Sequence, residues 1–203
     1  MKHRIIYLAA GCFWGTEGYF KKIGGIEDTE VGYANGKTDY TNYHEVDATD
    51  HAETLKIIYD ISKISLQEIL LHYFRIIDPK SVNKQGGDRG RQYRTGIYYT
   101  DEADLAAIMS VYRYFEEKLG DLAVEVQPLK NFVKAEDYHQ DYLDKNPTGY
   151  CHVNLEMAHE PLIVGDYKMK SDEELKAEMD ELSYAVMREN KTERAGTSEL
   201  NEE

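Results

Sequence analysis

Arg4-Ile-Ile-Tyr-Leu-Ala-Ala-Gly-Cys-Phe-Trp-Gly15 is the stretch on which the fold turns. Arg4–Ala10 reads as a strand, Gly11 as its stop, and Phe13–Lys22 as a helix closed by Gly24-Gly25. Cys12 therefore falls where a strand turns into a helix, with its thiol at the helix N-terminus. Unpaired backbone N–H groups and the helix dipole there favour a thiolate, which predicts a Cys12 pKa below the ordinary value of about 8.5. Gly11 lets the chain turn tightly and leaves the sulfur approachable. Phe13 and Trp14, the only tryptophan, supply an apolar wall. Taken alone, a small buried thiol beside core aromatics accounts for the same residues.

Outward from this stretch, Glu53–Asp60 alternates Leu55, Ile57 and Tyr59 against Thr54, Lys56 and Ile58, an imperfect strand pattern. Ser65-Leu-Gln-Glu68 is a capping box. Behind it Leu66, Ile69, Leu70, Tyr73, Phe74 and Ile77 recur at helical spacing until Pro79. Lys80–Arg94 is a loop rich in glycine and charge, the kind of segment that presents functional groups. Thr95–Thr100 reads as a strand, and Ala103–Leu119 as a helix with Leu105, Ile108, Met109, Tyr112, Phe115 and Leu119 facing inward. Ala123–Gln127 is a further strand halted by Pro128, and Ala135–Leu143 a short helix. Asn146-Pro-Thr-Gly149 is a turn leading to Cys151. Without a regular βαβ rhythm, the order predicts an α+β domain, a mixed sheet with flanking helices. That domain covers residues 1–165. In the acidic tail, 166–203, Ser171-Asp-Glu-Glu174 forms a second capping box ahead of a narrow stripe, Leu175, Met179, Leu182 and Val186, expected to lie outside the core.

The 203 residues are 41% hydrophobic and 31% charged, the profile of a globular chain. A formal net charge of −14 argues against nucleic acid or an anionic membrane as partner. No run approaches the roughly 20 apolar residues of a membrane span. The opening MKHRIIYLAAGC mimics a lipoprotein cleavage site, but Ile5–Ala10 falls short of the roughly 7–15 residues of a signal core. A cytoplasmic protein is the expectation. Two cysteines, Cys12 and Cys151, make no disulfide scaffold, and no Cys/His cluster offers metal ligands, so neither metal nor cofactor is expected.

Gly11-Cys-Phe-Trp-Gly15 resembles the active-site signature of the A-type peptide methionine sulfoxide reductases. Further matches follow in order: Val31-Gly-Tyr-Ala-Asn-Gly36, Tyr43 ahead of His51-Ala-Glu53, Gly87-Asp-Arg-Gly-Arg-Gln-Tyr-Arg94, Glu136-Asp-Tyr-His-Gln140 and Lys145-Asn-Pro-Thr-Gly-Tyr-Cys151. The resemblance spans roughly residues 4–155 and implies the two-layer mixed-sheet sandwich of that family. It implies a thiol-dependent reduction of methionine S-sulfoxide, free or in proteins, to methionine. Cys12 is then the nucleophile and Glu53 the acid, its pKa raised in a dry pocket. Tyr43 and Tyr93 donate to the sulfoxide oxygen, Phe13 and Trp14 hold the S-methyl group, and Asp88 orients the site. Attack leaves a sulfenic acid on Cys12, Cys151 resolves it to a disulfide, and thioredoxin regenerates the thiols. His139 lies in one motif and is as readily a structural histidine.

Lys170–Lys176 and Leu182–Glu203, with Arg188–Arg194, resemble the linker and opening of a B-type reductase domain, as in fusions of the two types; a helical solubility tail is the plainer reading. Rival readings of the whole are another two-cysteine disulfide reductase or thiol peroxidase, a cysteine hydrolase, and a non-catalytic acidic interaction module.

Overall fold

The computed structural model describes residues 2–162 and 165–179. Its chain order is β1 (His3–Ala10), α1 (Phe13–Phe20), β2 (Ile26–Ala34), β3 (Ala52–Asp60), α2 (Leu66–Ile76), β4 (Lys84–Gln85), β5 (Asp88–Arg89), β6 (Thr95–Tyr99), α3 (Leu105–Leu119), β7 (Glu125–Pro128), β8 (Phe132–Lys134) and α4 (Tyr142–Lys145). Six strands form one sheet in the order β7-β6-β1-β3-β2-β8, and β4 pairs with β5 alone. All neighbours in the large sheet run antiparallel except β6 and β7, so the sheet is mixed and the fold α+β, as expected. The edges are short: β7 has four residues and ends in Pro128, and β8 has three and ends in Lys134.

Strand periodicity divides the core. Ile6, Leu8 and Ala10 of β1 enter the main apolar cluster, with Phe13, Tyr19 and Phe20 of α1, Ile69, Leu70 and Tyr73 of α2, and Ile108 and Val111 of α3. Tyr7 and Ala9 point to the other face, where Ala34, Ala52 and Tyr98 pack beneath Leu129 and Phe132. The helices thus cover one face, and the β7–β8 connection covers part of the other. The Ser65 capping box forms as expected: Glu68 N–H donates to Ser65 Oγ at 3.2 Å, and Ser65 N–H to Glu68 Oε2 at 2.8 Å. Among the described residues no helix is long and apolar enough to cross a membrane.

The structure departs from the sequence reading in several places. β2 and β8 went unread, and β2 fills the place between β3 and β8. The expected helix Ala135–Leu143 is mostly turns, and only Tyr142–Lys145 is helical. Its backbone is committed elsewhere: Ala135 N–H donates to Val31 O at 3.0 Å, and the Gln140 side chain bonds both Val31 N–H and Val31 O. Asp141, in the left-handed region with φ +53°, breaks any ladder. On α3 the buried face is Ala106, Ala107, Ile108, Ser110 and Val111, while Leu119 is 43% exposed. Ile108, Tyr112 and Phe115 meet the main cluster as expected, and the smaller Ala106, Ala107 and Ser110 share the buried face. The tail, expected outside the core, is in contact with it as far as it is described. Tyr167 Oη donates to Gln67 Oε1 at 2.7 Å, Lys170 N–H shares that acceptor, and Leu175 packs on the main cluster. The Ser171–Glu174 box forms there too. Leu182, Val186 and the Arg188–Arg194 match lie outside the described residues.

Candidate active site

β1 delivers the chain to Gly11, whose φ of +82° turns it into α1. A Cβ at this glycine would meet Gln85 Cβ at 2.5 Å, so both the turn and the close approach require glycine. Cys12 follows at the N-cap of α1 and is buried. Backbone N–H groups of Trp14 and Gly15 reach its sulfur and favour the thiolate, as the helix start predicts. The expectation of a lowered pKa nevertheless fails. Burial outweighs them, and the charges of Glu53 and Asp88 add to it, so the thiol is pushed well up. That environment favours the neutral thiol of Cys12.

Glu53 explains how such a thiol can react. It comes from β3, 2% exposed, and its Oε2 accepts from Phe13 N–H at 3.1 Å, one residue beyond the nucleophile. Burial first, with the Asp88 charge adding and the Phe13 hydrogen bond opposing, raises its pKa to about 8. Glu53 therefore keeps its proton at neutral pH, and its charge against Cys12 is then largely absent. The acid is thus bonded to the backbone amide next to the nucleophile.

The other expected residues gather around this pair. The phenols of Tyr43 and Tyr93 are both raised, by burial first and then by the charge of Glu53, with Cys12 and Asp88 contributing to each. Both stay protonated donors over the whole neutral range. Tyr93 closes a short 3-10 turn, Arg91–Tyr93, that Arg91 and the buried Arg94 tie to Asp50. Tyr43 lies on a loop whose backbone N–H donates to Glu136 Oε1 at 2.9 Å. Asp88 stands on β5, half-buried.

The apolar wall is built from rings. Phe13 lies 5.7 Å from Tyr33 and 5.2 Å from His139 between centroids. Trp14 stacks on Tyr142 at 3.8 Å, and its indole N–H donates to His139 Nδ1 at 3.0 Å. The Tyr43 ring is 4.8 Å from His139. The sequence left His139 open between a site and a structural role; it is 1% exposed and joins Phe13, Trp14 and Tyr43. The sequence reading passed over Glu136, although it lies in a quoted motif. Its carboxylate takes the Tyr33 hydroxyl at 2.8 Å as well as the Tyr43 N–H, and so places the tyrosine loop.

Cys151 is half-buried and free, like Cys12. Its thiol donates to Val153 O at 3.0 Å, and a Cβ on Gly15 would come 3.0 Å from its sulfur. The second thiol thus lies against the first turn of the helix that Cys12 starts. The segment beyond it is anchored, because Arg75 donates to the carbonyls of Met157, Glu160 and Pro161. His3, Glu27 and Asp60 converge at the far end of β1, but Lys63 already pairs with Glu27 at 2.7 Å and with Asp60 at 3.8 Å. That cluster has its cation.

The profile of a family described as peptide methionine sulfoxide reductase matches residues 4–171. Among solved structures, the chain is similar to Mxr1 from Saccharomyces cerevisiae in reduced form, with 43% identity and a TM-score of 0.70 over 74% of this chain and 89% of that one. Methionine sulfoxide reductase A of Corynebacterium diphtheriae is 31% identical, with a TM-score of 0.68 over 83% of this chain and 84% of that one. Mxr1 in complex with Trx2 aligns with 32% identity and a TM-score of 0.51, over 70% of this chain and 85% of that one.

Proposed function

This chain belongs to the peptide methionine sulfoxide reductase family, an oxidoreductase that reduces methionine sulfoxide, and from that premise we propose how its residues divide the work. Cys12 attacks the sulfoxide sulfur. Glu53 gives its proton to the sulfoxide oxygen and takes the proton that the thiol releases, so no standing thiolate is needed. Tyr43 and Tyr93 donate hydrogen bonds to the same oxygen, and Phe13 and Trp14 line the slot for the S-methyl group. The substrate's sulfur–oxygen bond and the bond that the attack formed between the two sulfurs then break, the protonated oxygen passes to the Cys12 sulfur as a sulfenic acid, and methionine leaves. Cys151 then attacks the Cys12 sulfur, water departs, and a disulfide remains. The observation that carries this reading is Glu53, buried, bonded to the Phe13 N–H beside Cys12 and held at a pKa of about 8.

Thioredoxin is the proposed reductant of the Cys12–Cys151 disulfide, supported by the complex of the similar Mxr1 with Trx2. Substrate would be methionine S-sulfoxide in proteins or free, met in a reducing cytoplasm that keeps both thiols reduced. We further propose that the B-type resemblance of the tail belongs to a longer parent chain in which 1–165 is the catalytic unit; a native protein no larger than this chain would reject it.

One turnover without reductant tests the cycle. One methionine per protein should form from the S epimer, with loss of both thiols. Cys151 still titrating as a free thiol would reject it as the resolving group, and no methionine at all would reject the role of Cys12.

A further inference from the structure

His152 follows the resolving cysteine directly, yet the cycle above gives it nothing to do. Its side chain is 10% exposed, and both ring nitrogens are buried without a hydrogen-bond partner. The ring is seated against two site glycines: a Cβ on Gly11 would lie 3.5 Å from its Cε1, and one on Gly86 would lie 2.9 Å from its own Cβ. Asp88 Oδ2 stands 3.7 Å from His152 Nδ1 and is likewise buried and unpartnered. Buried polar atoms are rarely left unpaired, and a shift of a few tenths of an ångström would close this pair.

We propose that His152 is a positioning residue, a latch on the resolving segment that holds the Asp88 carboxylate while Cys12 attacks and withdraws from it when Cys151 closes onto Cys12. The inference rests on the Cys12–Cys151 cycle. Adjacent Cα atoms lie about 3.8 Å apart, and a disulfide requires Cα atoms within about 7 Å, so any shift of the Cys151 backbone toward Cys12 is passed to His152. In that step the Cys12–SOH sulfur–oxygen bond breaks and the sulfur–sulfur bond forms. The Cys151 thiol proton leaves with the hydroxyl as water. Asp88 acts on its surroundings through charge, and the groups that feel it are Cys12, Glu53, Tyr43, Tyr93 and Tyr150, besides His152 itself. A latch on the resolving segment would let the site's field report whether Cys151 is engaged.

The test compares His152→Leu, which keeps bulk and loses the donor, with His152→Gln, which restores one. Methionine release and thiol loss are followed separately in a single turnover. Because misplacing a group by about 1 Å can cost on the order of 100-fold, methionine release should slow roughly tenfold in His152→Leu and recover largely in His152→Gln. On the unmutated protein, the His152 ring proton should titrate differently by NMR in the reduced form and after diamide has linked the two cysteines. Wild-type release in His152→Leu, or the same titration in both redox forms, overturns the latch. An unmutated protein that releases no methionine, or that diamide fails to link, overturns the cycle instead.

Discussion

Glu53 sets the pH behaviour of the site. Methionine release in a single turnover should fall as pH rises through about 8, where Glu53 loses the proton it must donate. In Glu53→Gln that descending limb should vanish while some activity remains, and Glu53→Ala should lose far more, because an amide still donates a hydrogen bond. Equal losses would argue against the donor role. Stability carries the same signature. The folded pKa lies above the ordinary 4.5, so between about pH 4.5 and 8 the folded protein holds a proton that the unfolded chain has released. The stabilising contribution is complete below that window and declines across it, by up to about 1.4 kcal/mol per pH unit. Thermal melts from pH 5 to 8.5 should therefore show the wild type losing ground against Glu53→Gln. The position of Cys12 at a helix start was legible in Gly11-Cys-Phe-Trp-Gly15, but the direction of its pKa was not. The opposing burial and charge come from β3 and β5, some 40 to 75 residues along the chain, and local sequence does not reveal what a fold will stack over a thiol.

Gly15 and Ser65 carry the tests at the level of single elements. A methyl group on Gly15 would lie 3.0 Å from Cys151 Sγ and 3.2 Å from Val153 Cγ2. Gly15→Ala should therefore slow disulfide closure several-fold in a thiol-loss trace while the first methionine still forms. Ser65→Ala removes the acceptor that caps α2 and should cost about 1 kcal/mol in denaturant melts. α2 was readable because its cap and its apolar spacing agree. β2 was not: Glu27, Asp28 and Glu30 interrupt its alternation, and it is identifiable as a strand only through its pairing with β3 and β8. The turns at 135–141 misled for the opposite reason, since their helix-like pattern serves contacts with β2 rather than a helix of their own.

Across the whole molecule, residues 165–179 belong to the folded body further than the acidic composition of the tail suggested. Ending the chain at residue 162 would remove the Tyr167–Gln67, Lys170–Gln67 and Ser110–Tyr167 hydrogen bonds and the Leu175 packing. A loss of about 2–4 kcal/mol should follow, seen as a Tm lower by about 5–10 °C. An unchanged Tm would return this segment to the role of a loose appendage. The borders of the sheet have a consequence of their own. An oxidised polypeptide, one of the substrates proposed above, is a partly opened chain that can zip onto a free strand edge. Here the outermost ladders are too brief for that, one closed by a proline that lacks an amide hydrogen and the other by an exposed lysine. Such edges give an unfolded chain little backbone to pair with.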